Sequence, residues 1–127
     1  MTFRHGARFG RYEILDLVGE GGMGEVYRAH DSSLDRTVAI KVVSERHAPR
    51  VSALSRLERE ARALAKLSHP NIVTVHEVGA SDGTAFIVME LLEGTPLAHA
   101  IPAGGMAWAR AATFAAAIAD ALACAHE

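Results

Sequence analysis

Three glycines spaced G-x-G-x-x-G, at Gly19, Gly21 and Gly24 within V-G-E-G-G-M-G-E-V at residues 18–26, restrict this chain more than any other feature. Glycines lack the Cβ atoms that hold a phosphate away, and they reach positive φ without strain, so successive N–H groups can converge on anionic oxygens. The pattern alone does not choose a fold. A dinucleotide-binding unit continues from such a loop into a helix, whereas the other phosphate-binding arrangement joins two antiparallel strands. Residues 25–30, E-V-Y-R-A-H, are short, include β-branched and aromatic side chains, and run into the turn-forming D-S-S-L-D at 31–35, which leaves no room for a helix. The sequence therefore predicts a hairpin. Glu45 stands where a dinucleotide-binding unit would place its ribose-binding acid, roughly 20 residues past the glycines, but without the helix it carries little weight.

The remaining periodicity predicts five strands and one long helix. Residues 12–18 and 24–30 are the two arms of the hairpin. Residues 37–43 alternate, with Val38, Ile40 and Val42 on one face and Ala39, Lys41 and Val43 on the other, so a lysine shares a face with small apolar residues. On a lone strand such a lysine would as readily be an edge residue that guards against aggregation. Residues 52–67 trace a helical stripe of Leu57, Ala61, Leu64 and Leu67, opposite Arg56, Arg59, Arg62, Ala63 and Lys66. At about 100° per residue, Glu60 falls on the apolar stripe, where an unpaired carboxylate is costly. It needs an inward-facing cation, and Lys41 is the candidate; Glu58 can instead pair with Arg62 one turn along the solvent side. H-P-N at 69–71 ends the helix. Residues 72–78 and 84–90 make a strand pair around S-D-G at 81–83. G-T-P at 94–96 breaks the pattern, a brief helix follows at 97–101, and Gly104-Gly105 precedes a last helix over 106–126.

Composition excludes several function classes. At 127 residues with 50% hydrophobic content the chain suits one small domain. Thirteen basic against fifteen acidic residues, with a pI near 6.4, provide no basic field for nucleic acid. One cysteine, Cys124, supports neither an internal disulfide nor a cysteine-rich zinc site, so a reducing, cytoplasmic setting is expected. His30, His69, His76 and His99 have no metal-ligand spacing, and no metal site is expected. Residues 1–11 lack an apolar secretory core and are expected to form a flexible tail. The apolar tract at 106–125 is interrupted by Arg110 and Asp120, which argues for a soluble helix rather than a membrane segment.

In order and spacing, G-E-G-G-M-G-E-V at 19–26, V-A-I-K at 38–41, R-E-A-R-A-L at 59–64, H-P-N-I-V at 69–73 and M-E at 89–90 resemble the amino-terminal lobe of bacterial serine/threonine protein kinases of eukaryotic type. The resemblance covers nearly the whole chain. It implies an α+β fold: a five-stranded antiparallel small lobe with one helix at 12–93, including a hinge, and the first helices of an incomplete large lobe at 94–127. It also implies ATP as cofactor. Gly19, Glu20, Gly21, Gly22, Met23 and Gly24 would cover its phosphates, with Lys41 on the α- and β-phosphates and Glu60 paired to it. Val18, Val26 and Ala39 would sandwich adenine, Met89 would be the gatekeeper, and the backbone of Glu90 and Leu92 would bond the base edge. Leu64 and Val75 look like upper members of the family's regulatory spine, and Pro96 stands near where many members put a polar ribose contact.

The family's H-R-D-L-K-x-x-N and D-F-G, which supply the catalytic aspartate and the magnesium ligands, do not occur in these 127 residues, nor does A-P-E. The resemblance thus implies a kinase truncated before its catalytic loop, whose full domain would phosphorylate protein Ser/Thr. A noncatalytic nucleotide-binding or interaction module, or the product of a broken gene, is the alternative. The last helix is expected to lack a cover within its own chain and to stay exposed or self-associate.

Overall fold

A computed structural model describes residues 3–21, 24–43 and 50–127, with backbone alone for 50–54. Glu45 lies outside the described residues, as do Gly22 and Met23. The chain runs β1 (Arg8–Phe9), β2 (Tyr12–Gly21), β3 (Gly24–Asp31), β4 (Arg36–Val42), α1 (Arg50–Ala65), β5 (Val75–Ser81), β6 (Thr84–Met89), α2 (Leu97–Ala100) and α3 (Trp108–Ala125). The six strands form one antiparallel sheet in the order β1-β2-β3-β4-β6-β5.

Gly21 at the end of β2 stands opposite Gly24 at the start of β3, and the two strands pair antiparallel as the hairpin expected after the glycine pattern. Alternation in β4 sorts the core into two layers. Val38, Ile40 and Val42 join Phe9, Tyr12, Ile14, Tyr27, Ala29, Phe86 and Val88 on one face. On the other, Leu57 and Ala61 of α1 pack on Ala85 and Ile87, with Val43, Val75 and Met89 beside them. The β5–β6 turn contains Asp82 at φ 50° and Gly83 at φ 78°, two left-handed residues in succession, as a two-residue hairpin of the matching twist requires. β5 begins at Val75 rather than at 72, because the chain after Pro70 first closes a turn in which the Ile72 N–H bonds the His69 carbonyl at 3.1 Å.

The sixth strand, β1, corrects the expectation of five strands and of a loose tail. Arg8 and Phe9 pair with Glu13 and Tyr12. Phe3 stands edge-on to Phe9 and Tyr27, at 4.5 and 5.7 Å between ring centroids. Two aromatic anchors separated by R-H-G-A-R have no clear strand alternation, which is why the sequence pattern hides them.

The sheet also curls until its ends meet. Tyr12 Oη donates to Glu77 Oε2 at 2.5 Å and Arg11 Nη2 reaches the same oxygen at 3.0 Å, which ties β2 to β5 across three intervening strands. Burial and the Glu77 carboxylate push the Tyr12 phenol up to about 12. Arg11 Nε also reaches Asp31 Oδ1 at 3.3 Å, and Arg36 Nε reaches Oδ2 at 3.4 Å. Asp31 is 0% exposed. Its Oδ1 further accepts the N–H groups of Ser33 and Leu34 at 3.0 and 3.4 Å, so the turn-forming aspartate is also the buried hub of this closure.

α3 does not lie over the sheet. It meets the turn after α1 through one side of its carboxyl-terminal half: His69 Nε2 bonds Asp120 Oδ2 at 3.0 Å, and Asn71 Nδ2 donates to the Ala117 carbonyl at 3.1 Å. The Asn71 N–H donates to His69 Nδ1 at 3.0 Å, so Nδ1 is the acceptor and Nε2 carries the proton toward Asp120. The half-buried side of α3 includes Ala117, Ala121 and Cys124, while Trp108 (84% exposed), Ile118 and Leu122 face outward. Exposure of the larger apolar side chains thus occurs as expected. The helix is nonetheless tied to its own chain by these two polar contacts, and the expected self-association finds no support. By length and composition α3 could cross a bilayer, but Asp120 is tied to the α1 turn.

Candidate nucleotide site

Register places the predicted residues in two parallel rows on the α1 face of the sheet. Gly19, Val26, Lys41, Ile87 and Val78 lie directly opposite one another across β2, β3, β4, β6 and β5. The next row is Asp16, Arg28, Ala39, Met89 and Val75. Opposed residues project to the same side, so Lys41 stands between Val26 and Ile87, and Ala39 stands beside Met89.

Lys41 Nζ meets Glu60 Oε1 at 3.0 Å, with the two side chains 20% and 33% exposed. A partly exposed ion pair contributes only ~1 kcal/mol at most. It does little to hold α1 down, a task left to Leu57 and Ala61, which are 2% and 0% exposed. What it does is fix a cationic group at one spot beside the glycine strand.

The three glycines are not equivalent. Gly24 alone of them has positive φ, at +135°, and a Cβ there would stand 2.0 Å from the Val42 carbonyl oxygen. It is glycine because the fold leaves no room. Among the described residues a Cβ on Gly19 or Gly21 would meet nothing within 4 Å, so these residues do not require glycine at either position. Open space above two glycines, on the same face of the sheet as a fixed ammonium group with one strand between, is what an anionic ligand needs. The three glycines thus divide their roles: two offer clearance and one is a structural necessity.

Val18 sits where β2 advances two residues, Leu17 to Gly19, while β3 advances one, Tyr27 to Val26. It is the unpaired residue of a bulge and is exposed; such bulges re-aim a side chain next to a site. Glu20 lies opposite Glu25 near the mouth of the hairpin. Glu90 is held twice by Thr74: its N–H donates to the Thr74 carbonyl at 2.9 Å and its Oε2 accepts the Thr74 N–H at 3.2 Å. The segment after β6 is thereby clamped just beyond Met89, with the Leu92 side chain exposed. Thr74 was not legible as part of this clamp, because its contacts are made largely by backbone. Among the described residues no group of three or more His, Cys, Asp or Glu could hold a metal ion.

Comparison with known proteins agrees with this geometry. The family model described as "Protein kinase domain" matches residues 12–127. The serine/threonine-protein kinase PknD of Mycobacterium tuberculosis is 38% identical over 122 residues, which is 95% of this chain and 18% of that protein. The serine/threonine-protein kinase PrkC of Bacillus subtilis is 45% identical over 96 residues, 76% of this chain and 15% of its own length. Among solved structures, the Mycobacterium tuberculosis PknI kinase domain superposes with a TM-score of 0.81 at 30% identity, covering 98% of this chain and 51% of that one. The chain therefore spans less than a fifth of these curated relatives and about half of the solved kinase chain.

Proposed function

The chain belongs to the protein kinase domain family, and on that premise we propose that it provides the ATP-binding lobe of a cytoplasmic serine/threonine protein kinase. The observation that carries this reading is the Lys41–Glu60 pair at 3.0 Å, in register with Val26 and Gly19 beneath open backbone. In this reading Gly19, Glu20, Gly21, Gly22, Met23 and Gly24 lie over the ATP phosphates. Lys41 holds the α- and β-phosphates, and Glu60 keeps its ammonium group from swinging away. Val18, Val26 and Ala39 enclose adenine in front of Met89, and backbone groups of Glu90 and Leu92 meet the base edge.

ATP with magnesium supplies the phosphoryl group when bound to a complete kinase domain, and a protein Ser/Thr hydroxyl is its acceptor. The residues described here fit the nucleotide part of that task through the clearance at Gly19 and Gly21. The aspartate that orients the acceptor and the magnesium ligands belong to motifs that these 127 residues do not contain.

The test is an ATP titration followed by amide NMR, together with radiolabelled phosphate transfer to a generic protein acceptor. Shifts should concentrate at residues 18–26, 39–41 and 89–92, with no transfer above that of Lys41→Met. Shifts confined to α3, or transfer abolished by Lys41→Met, would contradict the reading.

A further inference from the structure

Glu25 follows the last glycine of the loop, and the fold buries it to 6% exposure. It pairs in register with Val42 and alternates with Tyr27, so its carboxylate enters the apolar layer on the face opposite Lys41. There Glu25 Oε2 accepts the Tyr27 hydroxyl. The same Tyr27 oxygen accepts the Phe3 N–H at 3.1 Å, and the Phe3 ring packs edge-on against Tyr27 and Phe9. Contacts therefore run from the amino-terminal segment through Tyr27 and Glu25 to Gly24.

A carboxylate in an apolar layer is weak evidence for stability, since a packed hydrophobic residue would serve as well or better. Its placement has a positional use. Gly24 already abuts the Val42 carbonyl, and the next side chain is bonded to a fully buried tyrosine. Consecutive residues are thus held against two different elements where the second arm of the glycine loop begins. We infer that Glu25 and Tyr27 are positioning residues for the arms of the glycine hairpin, and that the contact from Phe3 controls how firmly those arms are held. The inference rests on the ATP reading for its function but not for its geometry.

Amide hydrogen exchange without nucleotide, followed by ATP affinity, separates the two. In Tyr27→Phe, which keeps the ring but loses the hydroxyl's bonds to both Glu25 and the Phe3 N–H, exchange at residues 19–26 should quicken about tenfold or more relative to residues 36–42. ATP affinity should fall severalfold. Glu25→Ala and a chain starting at Arg4 should do the same, while Glu25→Gln, which retains an acceptor, should stay near the parent. An equal change at 19–26 and 36–42, or none in either, would overturn the inference by making the pair a plain core contact. Selective loosening of 19–26 in a parent chain that binds no ATP would support the anchoring and overturn the ATP reading instead.

Discussion

Gly24→Ala is expected to destabilise the chain by ~4 kcal/mol, with loss of the β2–β3 turn, whereas Gly21→Ala should leave stability within ~1 kcal/mol of the parent. The difference follows from where a methyl group would go. At Gly24 it would stand 2.0 Å from the Val42 carbonyl oxygen on a backbone at φ +135°, so strain of ~1–3 kcal/mol adds to a clash that only a shift of β4 can relieve. At Gly21 it would meet nothing within 4 Å among the described residues. Urea unfolding of the two variants measures this directly. Their nucleotide affinities should part in the other direction: Gly21→Ala keeps the fold but obstructs phosphate, so a folded protein with weakened ATP binding is expected. Equal stability of the two variants would contradict the division of labour among the glycines.

Asp31→Ala should cost ~3 kcal/mol, because two backbone N–H groups lose their acceptor and two guanidinium groups lose the carboxylate that joins them. Arg11 and Arg36 are partly exposed and can turn to water, which keeps the cost below that of an orphaned buried charge. Acid provides a second readout. Burial pushes the Asp31 carboxyl up, but the Ser33 and Leu34 N–H groups with Arg11 and Arg36 outweigh it and hold the group below its usual 3.8. A carboxylate depressed in the folded state contributes stability in full above its unfolded value, and loses it as the pH falls through the folded one. Stability of the parent should therefore drop more steeply below about pH 4 than that of Asp31→Asn. Parallel pH curves for the two proteins would show that the hub contributes nothing.

These two sites mark the limits of what the sequence revealed. Glu60 was legible because a carboxylate on an otherwise apolar helical stripe demands a partner, and Lys41 was legible because a lysine on a strand face of small apolar residues offers one. Both rest on period, which local sequence carries. Asp31 and Arg11 were not legible together: one read as a turn former, the other as part of a tail, and it takes strand pairing to bring Arg11 and Arg36 to Asp31 and the curl of the sheet to bring Arg11 to Glu77. β1 was missed for a different reason: two residues beside a glycine have no period to detect. For α3, the sequence pointed to its wide apolar side, but small residues on another side meet the α1 turn through a backbone carbonyl and Asp120.

The unequal glycines extend this lesson to the candidate site. Their spacing suggested one shared role, yet steric need is visible only once β4 is in place against Gly24. Clearance at Gly19 and Gly21 then remains as a property with no structural use in the described residues. That property, set beside a cation held by Glu60, is the basis of the ATP reading.

Calorimetric titration of ATP into the parent chain, Lys41→Met and Glu60→Gln tests that reading most directly. A charge-assisted bond from Lys41 to phosphate contributes ~1.5–3 kcal/mol, so Lys41→Met should weaken binding by ~10-fold or more while leaving thermal unfolding within a few degrees of the parent. Glu60→Gln should fall between the two, because it leaves the ammonium group in place but loosely held. If ATP binds the parent and Lys41→Met equally well, Lys41 is not part of a nucleotide site and the account is wrong.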